Sequence, residues 1–162
     1  MRHTSIHWIR RSLAFLCFLA ICGCGAADPL ADESKGETEA WVSIGETRIP
    51  VELAITKEEQ QLGLGERDTL KWGHGMLFVH ERPEFRRYWM KGMRFDIDII
   101  WIRNDRISSI AHRVRHVPEE NGPTIRSREL VDQVLEVPAG YAQTQGWRRG
   151  QVVQVEGLAP KN

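Results

Sequence analysis

Phe95-Asp96-Ile97-Asp98-Ile99-Ile100-Trp101-Ile102-Arg103-Asn104-Asp105-Arg106-Ile107 is the stretch that decides the fold. Phe95, Ile97, Ile99 and Trp101 alternate with Asp96, Asp98, Ile100 and Ile102, and a period of two belongs to a β-strand. Asn104-Asp105 is turn material, because both residues tolerate left-handed backbone, and Ile107 to Val117 returns as a further strand. Toward the N-terminus, Tyr88-Trp89-Met90 begins another strand, and Met76-Leu77-Phe78-Val79 forms a short one closed by Pro83. Trp41 to Ile44 and Thr47 to Leu53 flank Gly45-Glu46 as a hairpin, and Pro50 favours an edge position for its second strand. Thr56 and Glu59 make a capping box for a short helix that Gly63 and Gly65 end. Toward the C-terminus, Pro118 to Thr124 is a polar loop, and Val134 to Val137 is a strand stopped by Pro138-Ala139-Gly140. Tyr141 to Gln145 is a short turn or helix, and Val152 to Val155 is the last strand. The expected class is α+β, mainly β: a compact, partly closed barrel of short strands with one or two short helices.

Composition agrees with one such domain. The chain has 162 residues, 41% hydrophobic and 27% charged, with 22 basic side chains against 22 acidic ones. These values exclude a disordered chain, a multi-pass membrane protein and a strongly basic nucleic-acid binder.

The first 23 residues read as an export signal. Arg2, Arg10 and Arg11 precede the apolar run Leu13 to Cys22, whose length suits a signal h-region and falls short of the roughly 20 residues of a spanning helix. Ile21-Cys22-Gly23-Cys24 resembles the bacterial lipobox, which makes Cys24 the expected lipidation site. All three cysteines lie at 17, 22 and 24, so cleavage before Cys24 and lipidation leave no free thiol, disulfide or cysteine-based zinc site. Removing the three arginines takes 22 basic groups to 19 against 22 acidic, a formal net charge of −3. Residues 24–40, with Asp28, Asp32, Glu33, Glu37 and Glu39 against Lys35, read as an acidic flexible tether. Residues 41–160 are then a single β-rich domain on the periplasmic face of a membrane. Gly25, where an Asp would signal inner-membrane retention, points to the outer membrane if the cell has one.

Four motifs carry a resemblance. Gly75-Met76-Leu77-Phe78-Val79, Trp89-Met90-Lys91, Asp98-Ile99-Ile100 and Val134-Leu135-Glu136-Val137-Pro138-Ala139-Gly140 occur in that order. Together with Gly63-Leu64, Arg67, Gly146 and Gly150 they resemble domain-of-unknown-function family 192, the uncharacterised ACR proteins, over roughly Val51 to Gln154. The sequence departs from the family pattern at Gly65 (a Met there), at Gly92-Met93 (Asn-Thr) and at Gln151 (Asp). The resemblance implies a small β-rich domain, often exported, without an established reaction.

The polar residues leave several chemistries open. Lys91, Asp98 and Glu136 sit within apolar segments, and with Arg67 they would form one ion-pair cluster, because unpaired charges near a core are costly. The candidate binding residues are Arg67, Lys91, Asp98, Glu136 and Trp89, and the candidate catalytic residues are Asp98, Glu136 and Lys91. Asp96 and Asp98, two apart on a strand, are expected to face water, and Trp89 and Trp101 to fill the core. Trp72 and Trp147 flank glycines in loops, where they would fold over the core or stack on a sugar ring. His112 and His116, at spacing four, and Met76, Met90 and Met93 raise a metal-binding alternative, although no zinc motif is present. There is also no nucleophile elbow, phosphate loop or dinucleotide fingerprint, so no cofactor and no nucleic acid is expected. The adopted reading is an envelope lipoprotein held to the membrane through Cys24, whose domain binds a small molecule, glycan or protein without catalysis. The alternatives are a hydrolase or lyase acting on envelope material through an Asp98–Glu136 carboxylate pair, and a copper or other metal-binding module.

Overall fold

The computed structural model describes residues 40–118 and 122–158; the expected export signal, the expected lipidation site Cys24 and the expected tether up to residue 39 lie outside the described residues. Nine strands and two short helices follow in the order β1 (Ala40–Ile44), β2 (Thr47–Ala54), α1 (Lys57–Leu62), β3 (Gly75–Glu84), β4 (Arg87–Trp89), β5 (Ile97–Arg103), β6 (Arg106–Val114), β7 (Thr124–Arg126), β8 (Val131–Pro138), α2 (Tyr141–Thr144) and β9 (Val153–Glu156). Seven of the strands form one sheet in the order β6-β5-β8-β3-β2-β1-β9, and β4 pairs with β7 as a separate ribbon. The large sheet is mainly antiparallel, with one parallel pair, β2 and β3, connected through α1. Its two edges meet at one end: Arg106 bridges Val152, and Val153 donates its N–H to the Asp105 carbonyl at 2.9 Å. The result is a curled, mainly β half-barrel.

The β5–β6 hairpin forms where the sequence places it. Asn104 and Asp105 both take positive φ, 49° and 52°, as a two-residue hairpin turn requires. The capping box at α1 also forms: the Glu59 N–H donates to the Thr56 hydroxyl at 3.2 Å, and the Glu59 carboxylate accepts the Thr56 N–H at 2.9 Å.

Two cores lie on opposite faces of the sheet. Inside the curl, Val42, Ile44, Ile49, Val51, Leu77, Ile100, Ile102, Leu135 and Val137 pack with Tyr141 and Trp147. On the outer face, Met76, Phe78, Ile97, Ile99, Trp101 and Val134 are covered by Leu64, Met90 and Met93 and by Tyr88 of the ribbon. A strand buried on both faces has no solvent side, which explains why β5 breaks the in-and-out expectation: Ile97 to Ile102 are all buried, and Asp98 is 0% exposed instead of facing water.

Three other expectations need correction. β2 is an interior strand, and Pro50 is tolerated there because β3 pairs with β2 only from Val51 onward. Met90 lies beyond β4, and Pro83 lies within β3, which runs on to Glu84 past an irregular register. Trp89 is 58% exposed instead of filling the core. The ribbon presents alternate residues to the sheet, and Tyr88 takes the inward place, with its ring 5.0 Å from Phe78 and 5.4 Å from Trp101. Trp101 is buried as expected, and Trp147 folds into the inner core while Trp72 stays exposed against Tyr141.

Candidate functional site

The four expected ionic residues do not gather into one cluster. Arg67 makes a two-pronged pair with Glu52 at 2.6 and 2.7 Å, on the surface. Asp98 and Glu136 lie on neighbouring strands but on opposite faces. Register places Glu136 opposite Ile99 and Asp98 opposite Val137, so Glu136 shares the outer face and Asp98 the inner one. The carboxylate pair of the hydrolase alternative is therefore not assembled.

Asp98 is fully used in holding the fold. One carboxylate oxygen accepts the Arg113 N–H at 2.7 Å, and the other accepts the Ala142 N–H at 3.0 Å. Arg113 has φ 51° and lies where the β5–β6 register shifts, so Asp98 pins a β-bulge to the first turn of α2. His112 lies 3.9 Å from the same carboxylate, and His116 bonds to Asp96 at 2.6 Å, so the two histidines go to separate aspartates. Met76, Met90 and Met93 are buried in the outer core. Among the described residues no group of three or more His, Cys, Asp or Glu is placed to hold a metal ion.

Glu136 is different. It is 5% exposed, and its side chain faces a pocket of about 360 Å³ between the sheet, α1 and the ribbon. Phe78, Leu64, Met93 and Ile97 provide apolar walls, and Glu136 is the one acidic residue in the lining. Its carboxyl accepts no hydrogen bond from the described residues, so burial alone acts on it and pushes its pKa up to about 8. In neutral solution it is mostly the uncharged acid. Beside it, Tyr88 Oη and His80 Nε2 lie 3.1 Å apart. Burial raises the Tyr88 phenol, assisted by the charge of Glu136, while burial and then the Arg86 charge lower His80 to about 4. Both groups are therefore neutral at pH 7.

The mouth has the opposite character. The exposed bases Lys57, Lys91 and Arg87 line it with Leu62, Phe85 and Trp89, these last three being 59%, 68% and 58% exposed, while Arg86 is partly buried with its Nε lacking a hydrogen-bond partner. Two of the expected binding residues, Lys91 and Trp89, thus join Glu136 at one site, while Arg67 and Asp98 do not. His80 and Tyr88 were not singled out by sequence. His80 is one of four histidines after residue 24, none of them in a motif, and a three-residue strand cannot tell which of Tyr88 and Trp89 faces inward. The departures from the family pattern cluster here too. Gly65 lines the pocket, and a Cβ on it would lie 2.9 Å from the Leu62 carbonyl oxygen; Met93 supplies part of the wall. Gln151 instead closes a loop, its side chain accepting the Arg148 N–H at 2.7 Å.

The DUF192 family model, described as uncharacterized ACR, matches residues 40–155. Comparison with curated proteins found no match. Among solved structures, the chain is similar to a candidate transcription regulator from Sinorhizobium meliloti 1021, at 29% identity and a TM-score of 0.65, over 74% of this chain and 94% of that one. It is equally similar to a protein of unknown function from Novosphingobium aromaticivorans DSM 12444, at 29% identity and a TM-score of 0.64, over 80% of this chain and 94% of that one.

Proposed function

We propose that this chain, which belongs to the DUF192 family of uncharacterized ACR proteins, is an exported lipoprotein moored through Cys24 whose half-barrel binds a small ligand without catalysis. The observation that carries the binding role is Glu136, a buried carboxyl without a hydrogen-bond partner among the described residues, facing a pocket with apolar walls on Phe78, Leu64, Met93 and Ile97 and polar groups on the rest of its lining. Keeping such a group buried costs stability, and a protein retains that cost most readily where a ligand offsets it. A hydrolytic pair is not needed for this role, and His80 and Tyr88 in the same lining are both neutral.

Two experiments test the two halves of the proposal. Mass spectrometry of the mature protein should find an acylated N-terminal Cys24, and Cys24→Ser should leave the membrane fraction or stall unprocessed. An uncleaved, unmodified chain in the cytosol would refute the mooring. For binding, the mature protein purified from membranes should be stabilised in thermal melts by at least one class in a panel of envelope metabolites and glycans. That shift should shrink when Phe78→Ala opens the pocket wall, and a panel without any hit would refute the binding role.

A further inference from the structure

The distribution of charge in the pocket restricts its ligand. The interior offers one acid, Glu136, among Phe78, Leu64, Met93 and Ile97, with neutral His80 and Tyr88 and the partly buried Arg86 in the same lining. The mouth offers the exposed bases Lys57, Lys91 and Arg87. Arg86 shares Glu84 with Arg82, whereas Lys57, Lys91 and Arg87 have no ion-pair partner within 4.0 Å among the described residues. An anion alone would satisfy the mouth and leave Glu136 unpaired. A cation alone would pair with Glu136 but would have to pass a ring of like charge. A molecule with an ammonium at one end and an anionic group at the other satisfies both layers, with its ammonium inside and its anion at the mouth.

We propose that the pocket binds a small zwitterion, a primary ammonium linked to a phosphate, with the ammonium on the Glu136 carboxylate and the phosphate among Lys57, Lys91 and Arg87. The assignment rests on the binding role above and deepens it. The same chemistry exists as a free phosphoamine and as an aminophospholipid headgroup. In the second case exposed Leu62, Phe85 and Trp89 would contact the carbon chains beyond the phosphate.

Binding has a proton signature. The titratable and charged groups that share the pocket lining with Glu136 are His80 from β3, Tyr88 and Arg87 from β4, Arg86 just before it, Lys57 from α1 and Lys91 after the ribbon. His80 and Tyr88 stay neutral at pH 7. An arriving ammonium therefore ionises Glu136, and close to one proton leaves for each ligand bound.

The test is calorimetry on the mature protein in detergent at pH 7, repeated in buffers of different ionisation enthalpy. The probes are O-phosphoethanolamine, ethanolamine, inorganic phosphate and soluble dihexanoyl phosphatidylethanolamine. The expected result is one site for O-phosphoethanolamine or the short-chain lipid, release of about one proton, and at least tenfold weaker binding of ethanolamine and phosphate. Tighter binding of the lipid identifies a headgroup site, and equal binding identifies a free zwitterion site. Glu136→Gln should abolish the proton release and lower affinity at least tenfold. The surface change Lys91→Gln, which leaves the buried acid in place, should weaken binding severalfold and keep the proton release. Phosphate binding as well as the zwitterion, or binding with no proton release, would overturn the assignment. If an uncharged apolar fluorophore fills the pocket while none of the four probes binds, the zwitterion fails and the binding role survives. If the fluorophore fails as well, both fall.

Discussion

Replacing Glu136 with Gln offers a direct measure of the strain in the empty pocket. The substitution keeps shape and polarity but cannot ionise. In the folded protein burial without a partner pushes the Glu136 carboxyl up to about 8 from its ordinary 4.5. The unfolded chain therefore gives up this proton first as pH rises. A folded pKa raised above the unfolded value contributes stability that is complete below pH 4.5 and is lost as pH climbs through 8. At about 1.4 kcal/mol per pH unit within that window, the wild type should lose about 3–4 kcal/mol from this group between pH 5 and pH 8. His80 runs the other way: burial holds it near 4 against 6.5, so it adds stability as pH rises from 4 to 6.5 and nothing beyond. The net loss in the wild type should therefore be steepest between pH 6.5 and 8. Urea unfolding of wild type and Glu136→Gln at pH 5 and pH 8 isolates the glutamate, because His80 is common to both proteins. The variant should gain about 3 kcal/mol on the wild type between the two pH values. A gain under about 1 kcal/mol would show that Glu136 has a hidden partner or reaches water, and the argument from its isolation would fail.

Asp98→Ala should destabilise the fold by about 3–5 kcal/mol, because it strands the Arg113 and Ala142 N–H groups that the buried carboxylate accepts; denaturant midpoints measure it. Ligand affinity per folded molecule should not change, since Asp98 faces the inner core and not the pocket. Trp101→Ala should cost about 3–5 kcal/mol and Trp89→Ala less than about 0.5 kcal/mol, and equal costs would contradict the inward placement of Tyr88. Gly75→Ala should cost about 1–3 kcal/mol, because its Cβ would lie 2.9 Å from the Glu136 carbonyl oxygen and 3.0 Å from Leu135 Cδ1; an unchanged melting temperature would show that β3 can yield there.

Local chemistry accounts for what could be seen in the sequence. The β5–β6 turn depends on two adjacent residues, Asn104 and Asp105, and the α1 cap on Thr56 and Glu59, so both are legible without knowledge of the rest of the chain. The site is not local in this sense. Whether Asp98 and Glu136 meet is decided by the register of β5 on β8, which sets Asp98 against Val137 and Glu136 against Ile99. A slip of one residue would have put both carboxylates on one face. Period-two alternation also fails where a strand is buried on both faces, since apolar residues then occupy both phases, as at Ile99-Ile100-Trp101-Ile102. Two acids with similar apolar flanks thus acquire opposite roles: one meets two backbone N–H groups and closes a bulge, while the other meets none and opens onto a pocket. The unpaired acid is the better pointer to function, because the stability it forgoes has no return among the described residues.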